Sequence, residues 1–373
     1  SARAAAQLVE QEGIGTAPER YDMITWGHSQ GGHAALWAGQ LAETYLAGTS
    51  PSKPTPPISL AGVVALAPAS SFTLAPGSTS GHGLADWEMH QTIEVIGLPV
   101  PALEIEIGPA LFSYIFGSWA AYSSNRAPSA DAKFPAFPAG AANLDPNGVL
   151  TPQGQGTVEA LVDLCLQSDS KAVQALVNPY LDARTNQMLA PSIWNLPADY
   201  TTGQYFFGGL DTTCASATDS STDAWCSWIR WNMPGPRGTN PFPKVPQHEG
   251  KPVPLLIGQG MDDTIIHCQP ADGAPPGAAP EAGDCMSRAL YDDLSAEYCP
   301  AGAPAAHLTL DLVRKDGLGS PASHLSIPGQ LASSDWSLRG SEMTFTGSPI
   351  QTFLSGAFAG TLPAGCTATV VNP

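Results

Sequence analysis

Residues 27–31, Gly-His-Ser-Gln-Gly, are the clearest candidate for covalent chemistry in this chain. The pattern G-x-S-x-G is typical of a serine held on a sharp turn between a strand and a helix. A short candidate strand at residues 21–26 precedes the motif, and an Ala- and Leu-rich candidate helix at residues 33–46 follows it. Glycines on both sides of Ser29 would let the backbone turn without a Cβ clash. The context predicts that Ser29 is a nucleophile rather than part of a plain turn.

A serine hydroxyl needs a base to take its proton, and the base needs an acid to orient it. After a G-x-S-x-G turn, the partners follow in the order acid, then histidine. The apolar run at residues 253–258 is followed by Asp262 and Asp263. The spacing G-x-x-D-x-x-[IV] favours Asp263 as the acid, because it puts Ile266 where the chain re-enters the structure. Asp262 is the alternative.

Of the eight histidines, His324 fits the base best, because it follows a late apolar run at residues 308–313 and a Gly-rich loop. His307 precedes the same run and would lie at the wrong end of the sheet. His267 lies too close to the acid. The other histidines flank the nucleophile or fall in the middle of the chain: His28, His33, His82, His90 and His248.

In this arrangement Asp263 would hold the Nδ1–H of His324, and Nε2 would face Ser29. The oxyanion of acyl transfer needs two N–H donors. The backbone N–H of Gln30 is one candidate, at a helix N-terminus whose dipole favours an anion. The second should come from a loop after an early strand, and we expect it to lie outside this chain. No segment signals a cofactor or a metal ion, since no Cys/His cluster has ligand spacing.

Two blocks with a helix–strand alternation enclose a different middle region. The blocks predict an α/β fold with a parallel sheet, an α/β-hydrolase core at residues 1–81 and 249–373. Residues 82–248, rich in Trp, Pro and Gly, are predicted to be an inserted helical cap. The predicted strands are at residues 21–26, 60–67, 253–258 and 308–313, and the predicted helices at 2–12, 33–46, 108–122, 157–177, 284–298 and 350–358.

Only 28 residues precede Ser29, enough for one helix and one strand. An α/β hydrolase places several strands before its nucleophile, so we expect its N-terminal strands to be missing from this chain. One hypothesis is a precursor that is cut before Ser1, with an N-terminal partner chain that completes the sheet and the oxyanion hole. A fragmentary sequence is the alternative. The odd number of cysteines, seven, would suit a bridge to such a chain.

Composition narrows the class of protein further. A formal charge of −18 with 15 Lys and Arg opposes binding to nucleic acid. The most apolar long stretch, residues 96–119, is broken by prolines and carries two glutamates, so no transmembrane segment is predicted. Seven cysteines predict two or three disulfides in a secreted protein. Short loops favour Cys214–Cys226, and either Cys268–Cys285 or Cys268–Cys299.

The motif segments resemble the secretory lipase family, which includes the yeast lipase A type. The resemblance rests on GHSQGGHAALWAGQLAETY with the following LAGVVALAPAS, and on the later GQGMDDTIIHC and SHLSI. It covers most of residues 21–70 and 252–366. It implies Ser29, Asp263 and His324 as the triad and a helical cap over an acyl-binding tunnel. The sequence departs from this family in two ways: the N-terminal strands are missing, and the predicted cap is long.

These patterns favour a secreted serine esterase or lipase that works through an acyl-enzyme. The apolar sequence at residues 96–117 suggests a hydrophobic ester substrate, acyl or polyester-like, although packing of the cap is the favoured interpretation for most of those residues. Peptide or amide hydrolysis with the same triad is a second reading. A non-catalytic binding protein on a hydrolase scaffold is a third, which the order Ser, Asp, His opposes.

Overall fold

The structure is a computed structural model in which the chain divides into two compact units. One unit comprises Ser1–Ser71 with Met233–Pro373, and the other comprises Phe72–Asn232. The structure describes residues 20–46, 58–70, 92–95, 103–106, 227–263, 266, 268, 278–281, 285–301, 303–315, 322–324, 326–333, 336–339, 342–345 and 348–371.

A parallel sheet of five described strands forms the centre of the first unit. Its order is β1-β2-β7-β8-β11, and every neighbouring pair is parallel. The strands span Tyr21–His28 (β1), Ile58–Leu66 (β2), Leu255–Gly260 (β7), His307–Val313 (β8) and Gly365–Val371 (β11). Parallel neighbours need crossover connections, and helices α1 (Gln30–Leu46), α2 (Met286–Tyr298), α3 (Ile327–Ser333) and α4 (Pro349–Ala359) lie between them in sequence. The predicted α/β class is therefore confirmed.

Both faces of β2 and β7 are buried, which explains why these two strands are mostly apolar. Successive residues of β2 alternate between two core clusters, since side chains on a strand point to opposite faces. Val63 and Ala65 belong to the cluster that contains Leu36 of α1 and Leu290 of α2. Val64 and Leu66 belong to the cluster that contains Leu331 of α3 and Phe353 of α4. The sheet thus lies between two layers of helices.

The observed bounds differ from the predicted ones in ways that matter for the candidate site. Helix α1 begins at Gln30, three residues before the predicted start, so the predicted turn across residues 27–32 is reduced to Ser29 alone. Strand β7 extends two residues past the predicted end at residue 258. Strand β11 was not predicted at all. Its centre, Thr367–Thr369, is exposed and carries polar side chains, so it lacks the apolar run of the buried strands.

Three short antiparallel pairs accompany the main sheet. They are β3–β4 (Thr92–Val95 and Leu103–Glu106), β5–β6 (Gln247–His248 and Lys251–Pro252) and β9–β10 (Trp336–Arg339 and Glu342–Phe345). The first pair falls in the predicted insertion, where helices were expected. The predicted helices at residues 2–12, 108–122 and 157–177 lie outside the described residues. Among the described helices, none is long and apolar enough to span a lipid bilayer.

The residues that lead into β5 pack on helices α1 and α2. Gly235 donates its N–H to Oε1 of the buried Gln40, and Nε2 of Gln40 donates to the carbonyl of Pro243 at 2.5 Å. Arg237 forms an ion pair with Asp293 of α2. Residues from 233 onward thus belong to the same compact unit as the sheet, and the inserted cap at residues 82–248 stays a prediction.

Two disulfides hold helix α2 at its ends. Cys285, the residue before the helix, is bridged to Cys268, which bears out one of the two predicted alternatives. Cys299, the residue after the helix, is bridged to Cys366 of β11 rather than to Cys268. The predicted pair Cys214–Cys226 lies outside the described residues.

Candidate active site

The turn at Ser29 is a single residue between a strand and a helix. Strand β1 ends at His28 and α1 begins at Gln30. Ser29 has a φ of 58°, in the left-handed region that a non-glycine residue adopts at a cost of about 1–3 kcal/mol. Its N–H donates to the carbonyl of Leu66 at 2.8 Å, and its carbonyl accepts the N–H of His33 at 3.1 Å. The end of β2 and the first turn of α1 therefore hold the strained serine from both sides.

The glycines around Ser29 are needed for close approach of backbone to backbone. A Cβ atom on Gly27 would lie 1.9 Å from the carbonyl oxygen of Gly31, and one on Gly32 would lie 2.8 Å from that of Leu66. A Cβ atom on Gly31 would meet nothing within 4 Å. The steric requirement predicted for both motif glycines thus holds for Gly27, whereas on the other side it falls on Gly32 instead of Gly31.

Asp263 and His324 come together as a buried hydrogen-bonded pair. Asp263 follows β7 and His324 follows β8, so both lie beyond the carboxyl ends of neighbouring parallel strands. Nδ1 of His324 lies 2.8 Å from Oδ2 of Asp263, and the two side chains are 6% and 0% exposed. An ionised carboxylate only accepts hydrogen bonds, so Nδ1 carries the proton and Nε2 is left as an acceptor. Asp262, the alternative acid, is exposed.

The two loops that carry this pair are joined through their backbones. The N–H of Met261 donates to the carbonyl of Val313 at 2.8 Å, and the N–H of Asp262 donates to that of Ala322 at 3.1 Å. A Cβ atom on Gly260 would lie 2.3 Å from the carbonyl oxygen of Ala322. A glycine at the end of β7 therefore lets the histidine loop approach the acid loop closely.

His28 brings the end of β1 against the histidine loop. Its Nε2–H donates to the carbonyl of His324 at 2.9 Å, and the two imidazole rings lie with their centroids 4.4 Å apart. Burial lowers the pKa of His28, and repulsion from a protonated His324 lowers it further. The backbone acceptor and the charge of Asp263 oppose this shift. His28 therefore favours its neutral form beside His324.

Ser29 directly follows His28, the residue whose ring contacts that of His324. Among the described residues, no hydrogen bond joins the Ser29 hydroxyl to the His324 ring. Nucleophile–base contacts are often long in free enzymes and shorten when substrate binds. Gln30, the predicted oxyanion donor, is the first residue of α1, where backbone N–H groups have no acceptor within the helix. Within the described ranges, no group of three or more His, Cys, Asp or Glu side chains is arranged to hold a metal ion.

His33 connects α1 to the segment after β2. Its Nδ1–H donates to the carbonyl of Ala69 at 2.7 Å. Burial lowers the pKa of His33 to about 4, and the hydrogen bond to Ala69 opposes this only in part. The ring is therefore neutral across the range in which an ordinary histidine titrates.

Three contributors to the site were not predicted from the sequence. Gln259 donates to Oδ2 of Asp263 at 2.7 Å, and the backbone N–H of Ile266 donates to Oδ1 at 2.9 Å. Ser287 donates in turn to Oε1 of Gln259 at 2.6 Å. The available signal was a glutamine inside an otherwise apolar strand, since a buried amide needs polar partners.

Comparison with known proteins adds a distant structural likeness. No protein-family profile matches the chain, and no curated protein matches it. The chain is similar to a ligand-bound form of the rice cell wall degrading esterase LipA from Xanthomonas oryzae, with 15% identity and a TM-score of 0.38. The match covers 82% of this chain and 54% of that one, so the chain spans about half the length of this neighbour. A likeness at this TM-score does not assign the chain to a family, and the resemblance to secretory lipases stays a prediction.

The turn geometry predicts opposite effects for two neighbouring alanine substitutions. Gly27→Ala should lower the free energy of unfolding by about 3 kcal/mol or prevent folding, because its Cβ would overlap the backbone of Gly31. Gly31→Ala should be neutral or stabilising by up to about 1 kcal/mol, because it replaces glycine in a helix without a clash. Urea denaturation of both variants measures the difference, and equal losses would contradict the described turn.

The depressed pKa of His33 predicts a loss of stability in acid. Above pH 6.5 the ring is neutral in both the folded and the unfolded chain; as the pH falls toward 4, only the unfolded chain gains a proton. This costs on the order of 3 kcal/mol by pH 4, at 1.36 kcal/mol for each pKa unit. His33→Asn keeps an N–H donor for Ala69 but does not titrate, so its stability should fall less over this range. Parallel curves for the two proteins would contradict the assignment.

Proposed function

We propose that this protein is a serine hydrolase of carboxylic esters, with Ser29 as nucleophile, His324 as base and Asp263 as the acid that orients it. The observation that carries the proposal is the buried Asp263–His324 hydrogen bond of 2.8 Å beside the strained turn that ends β1. A left-handed serine between a strand and a helix is an expensive conformation, which is typical of a residue with a chemical role.

The tautomer of His324 supports this assignment. Because Nδ1–H donates to Asp263, the unprotonated Nε2 is the atom that can accept the proton of Ser29. Ser29 Oγ would attack the ester carbonyl carbon while its proton passes to Nε2. The imidazolium would then protonate the leaving alkoxide, which releases the alcohol and leaves an acyl-Ser29 ester. Water would attack this ester, with Nε2 again taking a proton and returning it to Oγ as the carboxylic acid leaves.

Charge developing on the carbonyl oxygen needs donors already in place. The backbone N–H of Gln30 is the donor that we propose, because it opens α1 directly after the nucleophile. His28 supports the same arrangement from the other side, since its hydrogen bond ties the His324 backbone to the end of β1.

The proposal extends to the fold, the substrate and the location of the protein. We propose an α/β-hydrolase core with an inserted cap, a hydrophobic ester as substrate, and a secreted protein. Two disulfides support the last point, because such bridges persist in oxidising compartments. A partner chain from the same precursor that supplies the second oxyanion donor also stays a proposal.

Replacement of the nucleophile tests the proposal directly. A fluorophosphonate should label the protein at Ser29, as mapped by mass spectrometry, and p-nitrophenyl esters should be hydrolysed faster than peptide anilides. Ser29→Ala should abolish labelling and lower kcat for the esters by about 10⁶-fold. The absence of both labelling and ester hydrolysis in the folded wild-type protein would overturn the proposal.

Two adjacent aspartates provide a matched test of the acid. Asp263→Asn should lower kcat by about 10⁴-fold, because the amide would favour the wrong histidine tautomer. Asp262→Asn should change kcat little, since Asp262 is exposed and His324 binds Asp263. Steady-state kinetics on the same ester measure both, and a larger loss in the Asp262 variant would transfer the role to that residue.

A further inference from the structure

Within the described residues, three donors reach the carboxylate of Asp263, and only one of them is the histidine. Oδ2 accepts from Nδ1 of His324 at 2.8 Å and from Nε2 of Gln259 at 2.7 Å. Oδ1 accepts the backbone N–H of Ile266 at 2.9 Å. The glutamine and the histidine therefore share one carboxylate oxygen, so the strength and direction of one hydrogen bond affect the other.

The orientation of the Gln259 side chain is fixed by its surroundings. Its Nε2 end faces acceptors, the Asp263 carboxylate and the carbonyl of Ile266 at 3.2 Å, so that end must be the NH₂ group. Its Oε1 end then needs a donor, which the Ser287 hydroxyl supplies at 2.6 Å. Gln259 and Ser287 are both 0% exposed, so water does not compete for these bonds.

The connection from Ser287 returns to Asp263 through a disulfide. Ser287 lies in the first turn of α2, two residues after Cys285. Cys285 is bridged to Cys268, and the backbone N–H of Cys268 donates to the carbonyl of Asp263 at 3.0 Å. A closed circuit thus runs from the acid through two side chains and one covalent bridge back to the backbone of the acid.

We propose that Gln259, held by Ser287, is a positioning residue that hydrogen-bonds the Asp263 carboxylate and keeps it aimed at His324. The proposal rests on the function proposed above, because Gln259 would act through Asp263 and His324 and not through contact with substrate. A neutral amide donor stabilises the negative charge without adding a counter-charge that would compete with the imidazolium. The titratable groups that face this carboxylate within the described residues are His324 and, beyond its ring, His28, with Asp262 adjacent in sequence.

Substitution of Gln259 should change catalysis in a way that depends on pH. Gln259→Leu removes the donor, and Gln259→Glu keeps an acceptor for Ser287 but places a carboxylate oxygen against Asp263. In both variants the ionised acid is less stable, so a higher pH is needed to reach the active form of the pair. We expect kcat to fall about tenfold or more, KM to stay unchanged, and the acidic midpoint of the kcat–pH profile to rise by about one pH unit.

Gln40 supplies a matched control. It is buried to the same degree, in α1, and it also uses both ends of its amide, with Pro243 and Gly235 as partners. Gln40→Leu should therefore destabilise the fold by a similar amount but leave the acidic midpoint where it is in the wild-type protein. An identical rise of the midpoint in the Gln40 variant would show a general effect of lost stability and overturn the proposal.

Ser287→Ala is the milder test if the Gln259 variants fold poorly. It leaves the amide in place but removes the donor that fixes its orientation, so the midpoint should rise by less than in Gln259→Leu. Ser295→Ala is its control on the same helix, because that hydroxyl donates to the carbonyl of Tyr291 at 2.7 Å and not to Gln259. A midpoint unchanged from the wild-type value in both Gln259→Leu and Ser287→Ala would overturn the proposal.

A spectroscopic readout separates this proposal from the proposed function. The Nδ1 proton of His324 should give a low-field NMR resonance, assigned by its absence in His324→Gln. In Gln259→Leu this resonance should move or broaden beyond detection, and in Gln40→Leu it should stay in place. If the wild-type protein hydrolyses no ester but the resonance responds in this way, the function fails and the positioning role stands. A resonance unaffected by Gln259→Leu overturns the positioning role even in an active enzyme.

Discussion

Burial of the Asp263 carboxylate is the constraint on which the rest of the site depends. A charge removed from water costs several kcal/mol unless hydrogen bonds and an opposite charge replace the lost solvation. Asp263 is fully buried, and among the described residues its carboxylate accepts hydrogen bonds from Gln259, Ile266 and His324. The glycine at residue 260 has the same origin, because the histidine loop must come close enough to supply one of those donors. The acid thus dictates the path of both loops around it.

The parallel sheet makes this convergence geometrically simple. Residues after β1, β7 and β8 are far apart in sequence, yet the carboxyl ends of parallel strands lie at one edge of the sheet. Contact between His28 and His324, 296 residues apart, follows from that arrangement. The two helical layers bury both faces of the central strand β2, and the candidate site lies at the strand ends.

The elements and contacts that could be predicted from the sequence are those determined by residues close together in the chain. Strands such as β2 and β7 lie mostly in apolar runs of the sequence, and the serine motif lies between a strand and a helix within 26 residues, so both were predicted closely. Helix α1 was predicted to start late because Gly31 and Gly32 disfavour a helix by propensity, whereas the tertiary approach of Leu66 requires a glycine at residue 32. Strand β11 and the Cys299–Cys366 bridge escaped prediction, since an exposed edge strand lacks the apolar pattern and the bridge spans 67 residues.

The contacts of Gln259 show the same limit at the level of one side chain. Two of its partners, Asp263 and Ser287, are four and 28 residues away, and only the folded chain brings them to the two ends of one amide. Apolar periodicity treats such a residue as an interruption of the strand. The acid and the histidine, by contrast, could be paired from the sequence, because each follows one of two late predicted strands.

The bridge between Cys268 and Cys285 has a consequence for how this chain can vary. It spans 17 positions and closes the intervening residues into a covalent ring whose base is the acid loop on one side and the start of α2 on the other. The entropic cost of a longer ring grows only with the logarithm of its length. By chain entropy alone, a ring of a different length would therefore cost nearly the same, while the bridge would still join the acid loop to the start of α2.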